Sequence, residues 1–267
     1  MPELPDVEVY KRRLARGALG KTITRVAVGD ARILGKLSPR NFRGHLVGRK
    51  LLSTRRHGKH LLARIEGNGW LTLHFGMTGD LRVFNESEPR PRFTRVCLDL
   101  AGHGHLAYIN KRMIGRVGLA PNADAFIAAE KLGPDALDRG FTLAAFKKAI
   151  AGARRDVKSV LMDQQIVAGI GNIYADEILF QARIDPRAGI AKLDAARLAR
   201  LYRAIGTALR MAIAHGAGSE ELAERMPKSA LLPHRHKGGH CPRCGGPLKT
   251  TRIGGRMTYF CAHCQRR

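Results

Sequence analysis

Four cysteines near the C-terminal end place the strongest constraint on how this chain can fold. Cys241, Cys244, Cys261 and Cys264 form two C-x2-C pairs that are separated by sixteen residues. Each pair suits a tight knuckle, and two knuckles supply the four thiolates of a tetrahedral zinc site. Disulfide bonds are the alternative, and they are uncommon in an intracellular chain. Because all four ligands are cysteines, no position is left for water, and we expect one structural zinc ion.

The segment between the two cysteine pairs has the pattern of a β-hairpin. The β-type runs 249–253 and 256–260 flank Gly254-Gly255, a pair that is favoured in primed turns. Such a hairpin places Arg256 beside its tip. An arginine beside a turn is usually only solvated, but no Asp or Glu follows Glu224, so the bases of this segment have no acidic partner within it. We therefore expect the segment to clamp nucleic acid.

The charge balance also favours a polyanionic partner. The chain has 267 residues, and its 47 Lys and Arg against 22 Asp and Glu give a formal net charge of +25. This charge opposes compaction unless a polyanion neutralises it, and nucleic acid is the expected partner. A ribosome-associated protein, or a generally basic protein from an organism with an arginine-rich proteome, is the alternative.

The composition excludes a disordered tail and a membrane protein. Hydrophobic residues make up 44% of the chain, enough for a core, and no apolar run approaches the roughly 20 residues of a membrane span. Acids and prolines occupy the N-terminus, where a signal peptide would have bases and an apolar stretch. We expect a cytoplasmic, nucleoid-associated protein without a signal peptide.

The N-terminal half has the pattern of a sandwich. A helical stretch over 6–19 precedes the β-type runs, and strands at this spacing predict two packed sheets. Cys97 lies in one of these apolar runs and is predicted to be a small buried residue. The β-type runs are 61–65, 70–75, 81–84, 96–100 and 105–109.

Residues 141–224 have the three- and four-residue apolar spacing of helices, with Asp194 as a candidate N-cap. A turn-rich segment at 133–140 suits a domain junction. We therefore predict an α+β protein with three domains. They are a β-sandwich with an N-terminal helix at 1–133, a helical domain at 140–224 and a zinc finger at 225–267.

A glycine-rich turn precedes one of the predicted helices. Gly169 and Gly171 permit a tight turn, and Asn172 is placed to cap the helix that follows. A helix N-terminus presents free N–H groups, which suit a phosphate. Alone, this pattern usually marks an ordinary helix start, but the nearby bases Arg154 and Lys158 favour phosphate binding.

The N-terminus offers a nucleophile. Pro2 follows Met1, and methionine is commonly removed before proline, which would leave a secondary amine. The pKa of an α-amino group is about 8, well below the value of about 10.4 for lysine. Such an amine can attack a sugar C1′ to form an iminium, and Glu3 beside it can transfer protons. Because most termini are disordered, a frayed tail with a solvated Glu3 is the alternative.

Several motifs occur together in one order along the chain. They are Pro-Glu-Leu-Pro-Asp-Val-Glu at 2–8, His-Gly-Lys-His-Leu-Leu at 57–62, His-Phe-Gly-Met-Thr-Gly at 74–79, Ile-Gly-Asn-Ile-Tyr at 170–174 and the four-cysteine hairpin. In this combination the chain resembles the formamidopyrimidine-DNA glycosylase and endonuclease VIII family of base-excision repair enzymes over nearly its whole length. The resemblance implies a β-sandwich, a helix-two-turn-helix domain and a zinc finger. It also implies a monomer that binds double-stranded DNA containing damaged bases.

The resemblance further implies roles for individual residues. Pro2 would attack C1′ of the damaged nucleotide and expel the base, with Glu3 transferring protons. Lys59 would assist the lyase step and hold a phosphate, and Arg256 would assist δ-elimination. The base must leave the stack before it can be attacked. The residues implied to grip the DNA backbone are His74, Arg154, Lys158 and Asn172, and those implied to fill the space of the flipped base are Met77, Arg112 and Ile114.

Two features depart from the family pattern. Residues 110–115 read Asn-Lys-Arg-Met-Ile-Gly, where many members have Asp-Pro-Arg-Arg-Phe-Gly, so aliphatic Ile114 replaces an aromatic wedge. The stretch between Gly216 and Cys241 is short, and in the oxidised-purine enzymes it includes a loop over the flipped base. Because Ile114 stacks less broadly on a base, the first departure bears on opposite-base selectivity. The second favours ring-opened purines or oxidised pyrimidines over 8-oxoguanine.

Three functions compete on these grounds. The first is a bifunctional DNA glycosylase and abasic-site lyase that cuts by β- or β,δ-elimination through a Pro2 Schiff base. The second is a catalytically silent relative that binds damaged DNA, and the third is an unrelated zinc-ribbon protein of the translation machinery. Intact Pro2 and Glu3 favour the enzyme over the silent relative. The third function does not explain why Pro2, Glu3 and Lys59 occur together.

Overall fold

The computed structural model of the protein describes residues 2–67, 69–218 and 221–267. The expected removal of Met1 lies outside these residues, as do Ser219 and Glu220 of the predicted helical segment. The chain divides into two compact units, Met1–Lys131 and Leu132–Arg267, called here the N-terminal and C-terminal units. Strands dominate the first and helices the second, which confirms the α+β fold class. The three predicted domain boundaries stay a prediction.

The first helix of the N-terminal unit, α1 (Leu4–Gly17), begins two residues earlier than the sequence pattern predicts. Pro5 lies in its first turn, where a missing N–H costs no helical hydrogen bond. The buried face of α1 includes Val7, Tyr10 and Leu14, which join the hydrophobic core of the unit.

Two four-stranded antiparallel sheets form the predicted sandwich. One has the strand order β1-β6-β7-β5 and the other β2-β3-β4-β8. A 3-10 turn at Ala31–Leu34 and the helices α2 (Pro39–Leu46) and α3 (Ala123–Ala129) complete the unit. The strands are β1 (Ile23–Val28), β2 (Leu51–His57), β3 (His60–Ile65), β4 (Trp70–His74), β5 (Gly79–Asn85), β6 (Thr94–Leu100), β7 (Gly104–Asn110) and β8 (Arg116–Ala120).

Strand alternation explains how β6 contributes to the core. Val96, Leu98 and Leu100 belong to the core of the sandwich. Cys97 points to the opposite face, where its Sγ lies 3.7 Å from a carboxylate oxygen of Asp99. Cys97 is nevertheless buried, as predicted, with 1% of its surface exposed.

The C-terminal unit contains helices and one hairpin. Asp194 accepts a hydrogen bond from the N–H of Arg197, so the predicted N-cap is confirmed. None of the helices in the described part of the chain combines the length and apolar composition that crossing a membrane requires. The elements are α4 (Leu143–Ala149), α5 (Val157–Met162), α6 (Asn172–Ala182), α7 (Ala195–Ala214), α8 (Leu222–Arg225), β9 (Lys249–Ile253) and β10 (Arg256–Phe260), with 3-10 turns at Ile190–Lys192 and Leu232–His234.

The predicted hairpin between the cysteine pairs is confirmed. Strands β9 and β10 are antiparallel, with Ile253 opposite Arg256. The two residues between them, Gly254 and Gly255, have φ angles of +54° and +72°, as a type I′ turn requires at both central positions. Arg256 therefore begins the second strand beside the tip, where it is exposed.

Candidate functional site

The four cysteines of the C-terminal unit converge on one point. The Sγ atoms of Cys241 and Cys264 lie 3.8 Å apart, those of Cys244 and Cys261 lie 3.6 Å apart, and all four lie within 4.8 Å of one another. A tetrahedral zinc ion with Zn–S bonds of about 2.3 Å needs ligand sulfurs about 3.8 Å apart. Disulfide bonds would need sulfurs about 2.05 Å apart. The cysteines therefore fit one structural zinc ion, as the sequence predicts.

Backbone N–H groups orient the cysteine sulfurs. The N–H of Arg243 donates to the Sγ of Cys241, and that of Cys264 donates to the Sγ of Cys261, both at 3.4 Å. A third amide, that of Cys261, donates to the side chain of Gln265 at 2.9 Å. These bonds give each pair the knuckle geometry expected from its C-x2-C spacing.

The hairpin runs alongside α6. Near its tip, Thr258 lies 2.6 Å from the Nζ of Lys158, which also contacts the first residue of α6. One residue further, the N–H of Tyr259 donates to the Oδ2 of Asp176 at 3.1 Å. At its base, Cys261 packs in a cluster with Phe180 of α6. The tip therefore lies toward the N-terminus of α6 and the zinc cluster toward its C-terminus.

Lys158 is buried in the structure, whereas its place among the nearby bases favours a side chain that is open to phosphate. Its side chain is completely buried, and its Nζ lies 2.7 Å from Asp176, 2.8 Å from Asn172 and 2.6 Å from Thr258. The ammonium group thus holds the start of α6 and the hairpin together. Its contact with a DNA phosphate stays a prediction.

Asn172 does not cap α6, so this prediction is wrong. The N-cap residue is Gly171, and Asn172 is the first residue of the helix. Its side-chain oxygen instead accepts the hydrogen bond from Lys158. Gly171 has no side chain, so it supplies no side-chain cap to the helix.

Asp176 is a site residue that the sequence analysis missed. It lies in the second turn of α6, with 1% of its surface exposed, and its other oxygen contacts the Nε of Arg235 at 2.8 Å. Glu177 beside it is also buried, and this burial raises its pKa despite hydrogen bonds from Gln181 and the N–H of Leu232. The signal that could have revealed Asp176 is the occurrence of two acids in a mostly apolar helical run. Such acids are buried only when they have hydrogen-bond or ion-pair partners.

The N-terminus of the chain is anchored. Glu3 is the N-cap residue of α1, and its N–H donates to the Oδ2 of Asp6 at 2.7 Å. The side chain of Glu3 is buried, with 0% exposure, so the alternative of a solvated acid on a frayed tail is wrong. One turn further along α1, Glu8 forms an ion pair with Arg56 of β2 at 3.0 Å.

Lys59 lies in the tight turn of the β2–β3 hairpin. His57 pairs with His60, so Gly58 and Lys59 are the two turn residues. Gly58 has a φ angle of +54°, and glycine at this first position is typical of a type II′ turn. The turn holds Lys59 half-buried at the edge of the sheet.

His74 lies next to this turn and is neutral at pH 7. Its ring centroid is 4.8 Å from that of His60, its partner on the neighbouring strand. Burial, together with the charges of Lys59 and Arg116, lowers the pKa of His74 to about 4. Burial likewise lowers the pKa of His60 to about 3. A neutral His74 can bind a phosphate through a hydrogen bond but contributes no charge.

The three residues of the implied wedge lie on two adjacent loops. The backbone N–H of Arg112 donates to the Oγ1 of Thr78 at 3.1 Å. Gly76, at a φ angle of +59°, lies so close to Ile114 that a Cβ atom would come within 2.6 Å of its carbonyl carbon. Met77 is therefore held beside Arg112 and Ile114, and Ile114 has 48% of its surface exposed.

Asn110 supports this pair of loops and was not predicted as a site residue. It is completely buried, and its Nδ2 donates to the carbonyl oxygen of Phe75 at 3.0 Å and lies 3.2 Å from the hydroxyl of Tyr108. That hydroxyl donates to the carbonyl of His74 at 2.7 Å. An aspartate at this position, as in many family members, could not donate these bonds when ionised.

The remaining predicted contact residues are exposed. Arg154 lies in the segment before α5, and Arg256 lies at the hairpin tip. The structure thus assembles Met77, Arg112 and Ile114 in the N-terminal unit, and it assembles Lys158, Asn172 and the hairpin in the C-terminal unit.

Comparisons with known proteins agree with these features. Three family models match in succession: the formamidopyrimidine-DNA glycosylase N-terminal domain at residues 1–117, the H2TH domain of the same enzymes at 132–224, and a zinc finger found in FPG and IleRS at 238–267.

Full-length relatives are also found. The chain is 35% identical to the formamidopyrimidine-DNA glycosylase of Carboxydothermus hydrogenoformans, with 100% of both chains covered. It is 39% identical to that of Moorella thermoacetica over 94% of this chain and 95% of the relative. It is similar, with a TM-score of 0.88 and 27% identity over 100% of both chains, to the Lactococcus lactis Fpg (MutM) solved with DNA containing N7-benzyl-Fapy-dG. The chain therefore belongs to the formamidopyrimidine-DNA glycosylase family, the bifunctional glycosylases and abasic-site lyases of base-excision repair.

Proposed function

We propose that this protein acts as a monomer on double-stranded DNA at the nucleoid, where it removes ring-opened and oxidised purines and then nicks the abasic site. The anchored Glu3 is the observation that carries the proposal. A buried carboxyl group at the N-cap of α1, whose backbone N–H is bonded to Asp6, supports proton transfer at Pro2, the preceding residue of the chain. Nucleophile and proton-transfer group are then adjacent, as covalent catalysis requires.

The proposed reaction depends on the free amine that Pro2 has once Met1 is removed. The Pro2 nitrogen attacks C1′ of the damaged nucleotide, the bond between C1′ and the base breaks, and the base leaves with a proton. After ring opening, the iminium at C1′ makes a C2′ proton acidic. Loss of that proton expels the 3′ phosphate in β-elimination, and a second proton loss expels the 5′ phosphate in δ-elimination. Glu3 transfers protons in these steps, Lys59 holds a phosphate and assists elimination, and Arg256 assists δ-elimination.

The other predicted residues bind the DNA in this proposal. Neutral His74, the exposed Arg154 and the N-terminal end of α6 at Asn172 hold the phosphates, while Lys158 fixes that end in place. Arg112, Met77 and Ile114 fill the space that the flipped base leaves. The zinc ion keeps the hairpin folded so that Arg256 reaches the strand.

Ring-opened purines are the preferred lesion in this proposal. The relatives in the comparison are named for formamidopyrimidines, and the Lactococcus lactis protein was solved with a ring-opened guanine lesion. The short stretch before Cys241 favours them over 8-oxoguanine. A panel of duplexes, each with one lesion, should show faster release of formamidopyrimidine than of 8-oxoguanine or an oxidised pyrimidine. Fastest release of the pyrimidine would contradict this preference.

Borohydride trapping tests the mechanism. Protein from which Met1 has been removed should form a reduced covalent complex with abasic-site DNA. Glu3→Gln should lower base release at least tenfold and Pro2→Gly should lower trapping, whereas Glu130→Gln, an exposed carboxylate of the same unit, should change neither. If correctly processed protein binds the DNA but never forms the complex, the catalytically silent alternative is right.

A further inference from the structure

A basic cavity lies at the end of α6 that is remote from Asn172. Its volume is about 530 Å³. None of the described residues that line it is acidic, and two of the cysteines expected to bind zinc form part of its wall. The lining residues are Arg183, Arg197, Arg200, Arg243, Cys244, His263, Cys264 and Arg266.

Three of the five arginines have a structural role. Arg243 donates to the carbonyl of Phe180 at 2.5 Å, and the Nε of Arg200 donates to that of Ala182 at 2.7 Å. These carbonyls lie in the last turn of α6, whose C-terminal end attracts positive charge, and that of Phe180 also accepts from the N–H of Arg183 at 3.1 Å. Arg197 donates to the carbonyl of Arg267 at 2.7 Å. The three guanidinium groups are therefore held in place as part of the cavity wall.

The side chains of the other two arginines have no structural role among the described residues. Arg183 and Arg266 are exposed, and neither side chain has a hydrogen bond or ion pair with any residue in 2–67, 69–218 or 221–267. Their backbones are nevertheless fixed, because the N–H of Arg266 donates to the carbonyl of Arg183 at 3.2 Å. Two unpaired cations are thus presented side by side at the mouth of the cavity.

The cavity carries more positive charge than its surroundings neutralise. Among the described residues, one ion pair reaches these five arginines, between Arg197 and Asp194 at 3.6 Å, so four of the guanidinium groups have no acidic partner. The five guanidinium groups line one cavity of about 530 Å³, so their like charges repel one another. An anion that bridges several guanidinium groups would relieve this repulsion, and phosphate suits their planar donors.

The length of α6 separates the cavity from the N-terminal end of that helix. Helix α6 has eleven residues and is about 16 Å long at about 1.5 Å a residue. The hairpin tip and Asn172 lie at the N-terminal end, and the cavity lies at the other end beside the zinc cluster. A phosphate in the cavity is therefore not the phosphate that the N-terminal end of α6 would hold.

We propose that this cavity binds the phosphate backbone of a second DNA segment while the first segment occupies the reactive site. The proposal rests on the proposed function for the identity of the first segment. DNA is the polyanion that a protein of this charge meets in repair, and its spaced phosphates match arginines that line an open cavity. Holding two segments lets the enzyme transfer directly from one to the other during its search.

The test uses the enzyme trapped covalently on an abasic-site duplex, which fills the reactive site. A second, undamaged labelled duplex is then titrated onto the trapped complex at several salt concentrations. The variant R183Q/R266Q is compared with R40Q/R82Q, which removes two exposed arginines of the N-terminal unit. Wild type should bind the second duplex, and R183Q/R266Q should bind it about tenfold more weakly, with a salt slope smaller by about 2. Single-turnover base release should be unchanged in both variants.

Equal second-duplex binding by R183Q/R266Q and R40Q/R82Q would overturn the proposal. Inorganic pyrophosphate distinguishes a site for free phosphates: if R183Q/R266Q loses pyrophosphate binding and keeps the second duplex, the cavity binds small anions and the proposal is wrong. If no complex can be trapped, the proposed function fails instead. The second-segment proposal is then decided by sedimentation with excess duplex, where wild type should bind two duplexes and R183Q/R266Q one.

Discussion

The ammonium group of Lys158 lies 2.7 Å from a carboxylate oxygen of Asp176, and neither side chain has any exposed surface. The second carboxylate oxygen contacts Arg235 at 2.8 Å and the N–H of Tyr259 at 3.1 Å. One buried acid thus connects α5, α6 and the hairpin. The position of Arg256 at the hairpin tip therefore depends on a buried acid of α6.

Replacing Asp176 by Asn should destabilise the protein strongly. The amide keeps the shape but leaves Lys158 and Arg235 without their counter-charge, and breaking a buried pair typically costs about 3–5 kcal/mol. Urea unfolding measures the loss. Asp194→Asn, which alters only an exposed helix cap, should cost about 1 kcal/mol or less. A loss for Asp176→Asn no larger than that of the control would contradict the role assigned to this pair.

Removing zinc should weaken DNA binding. Cys241→Ala deletes one ligand, so the hairpin loses the metal that joins its ends, and affinity for an abasic-site duplex should fall at least tenfold. Cys97→Ala is the matched control, because Cys97 is also buried but lies in the sandwich. Elemental analysis should give one zinc per chain for wild type and Cys97→Ala. Full affinity in metal-free Cys241→Ala protein would refute the role of the finger in binding.

Truncating Ile114 should affect lesion processing and leave stability unchanged. Its side chain is 48% exposed in the free protein, so Ile114→Ala removes little buried surface and should cost less than about 0.5 kcal/mol. Base release should slow severalfold, because the flipped nucleotide leaves a space that alanine fills poorly. Leu52→Ala, with 45% exposure on β2, provides the control. Identical rates for both variants would exclude Ile114 from the wedge.

The His60–His74 pair should make stability depend on pH. Both pKa values are lowered below the unfolded value, to about 3 and about 4, so the unfolded chain binds more protons. The stability that the neutral rings provide is complete above about pH 6.5 and is lost as the pH falls toward 4. The free energies of unfolding of wild type and H60N/H74N, measured by chemical denaturation, should therefore converge as the pH falls from about 6.5 to 4. His236→Asn, at an exposed position, should follow wild type throughout, and a constant difference for H60N/H74N would disprove the assignment.

Local chemistry made much of this fold predictable. The C-x2-C spacing and the Gly254-Gly255 turn each require one geometry, and both were predicted correctly. Five strands of the sandwich were also predicted, because their apolar residues are contiguous. Strands β1, β2 and β8 were missed, since half-exposed strands with arginines, such as β2, lack a clear apolar run.

The partners of buried charges could not be predicted from the sequence. Lys158 and Thr258 are a hundred residues apart in the chain, and only the fold shows that they meet. The capping role assigned to Asn172 failed for the same reason, because its oxygen is used by Lys158. The residue types showed which groups can donate or accept a hydrogen bond. The partner of each group depends on contacts between residues that are distant in the sequence.

The bond between Glu3 and Asp6 has a consequence for rotational freedom at the first residue. The N–H of Glu3 belongs to the peptide plane that joins it to Pro2, so the bond to Asp6 fixes that plane. The pyrrolidine ring already restricts the rotation about its own N–Cα bond. A single torsion, about the Cα–C bond of Pro2, then sets the direction in which the nitrogen lone pair points. For the attack proposed at this atom, folding has left one rotation to be fixed when DNA binds, so the entropy lost in orienting the nucleophile is small.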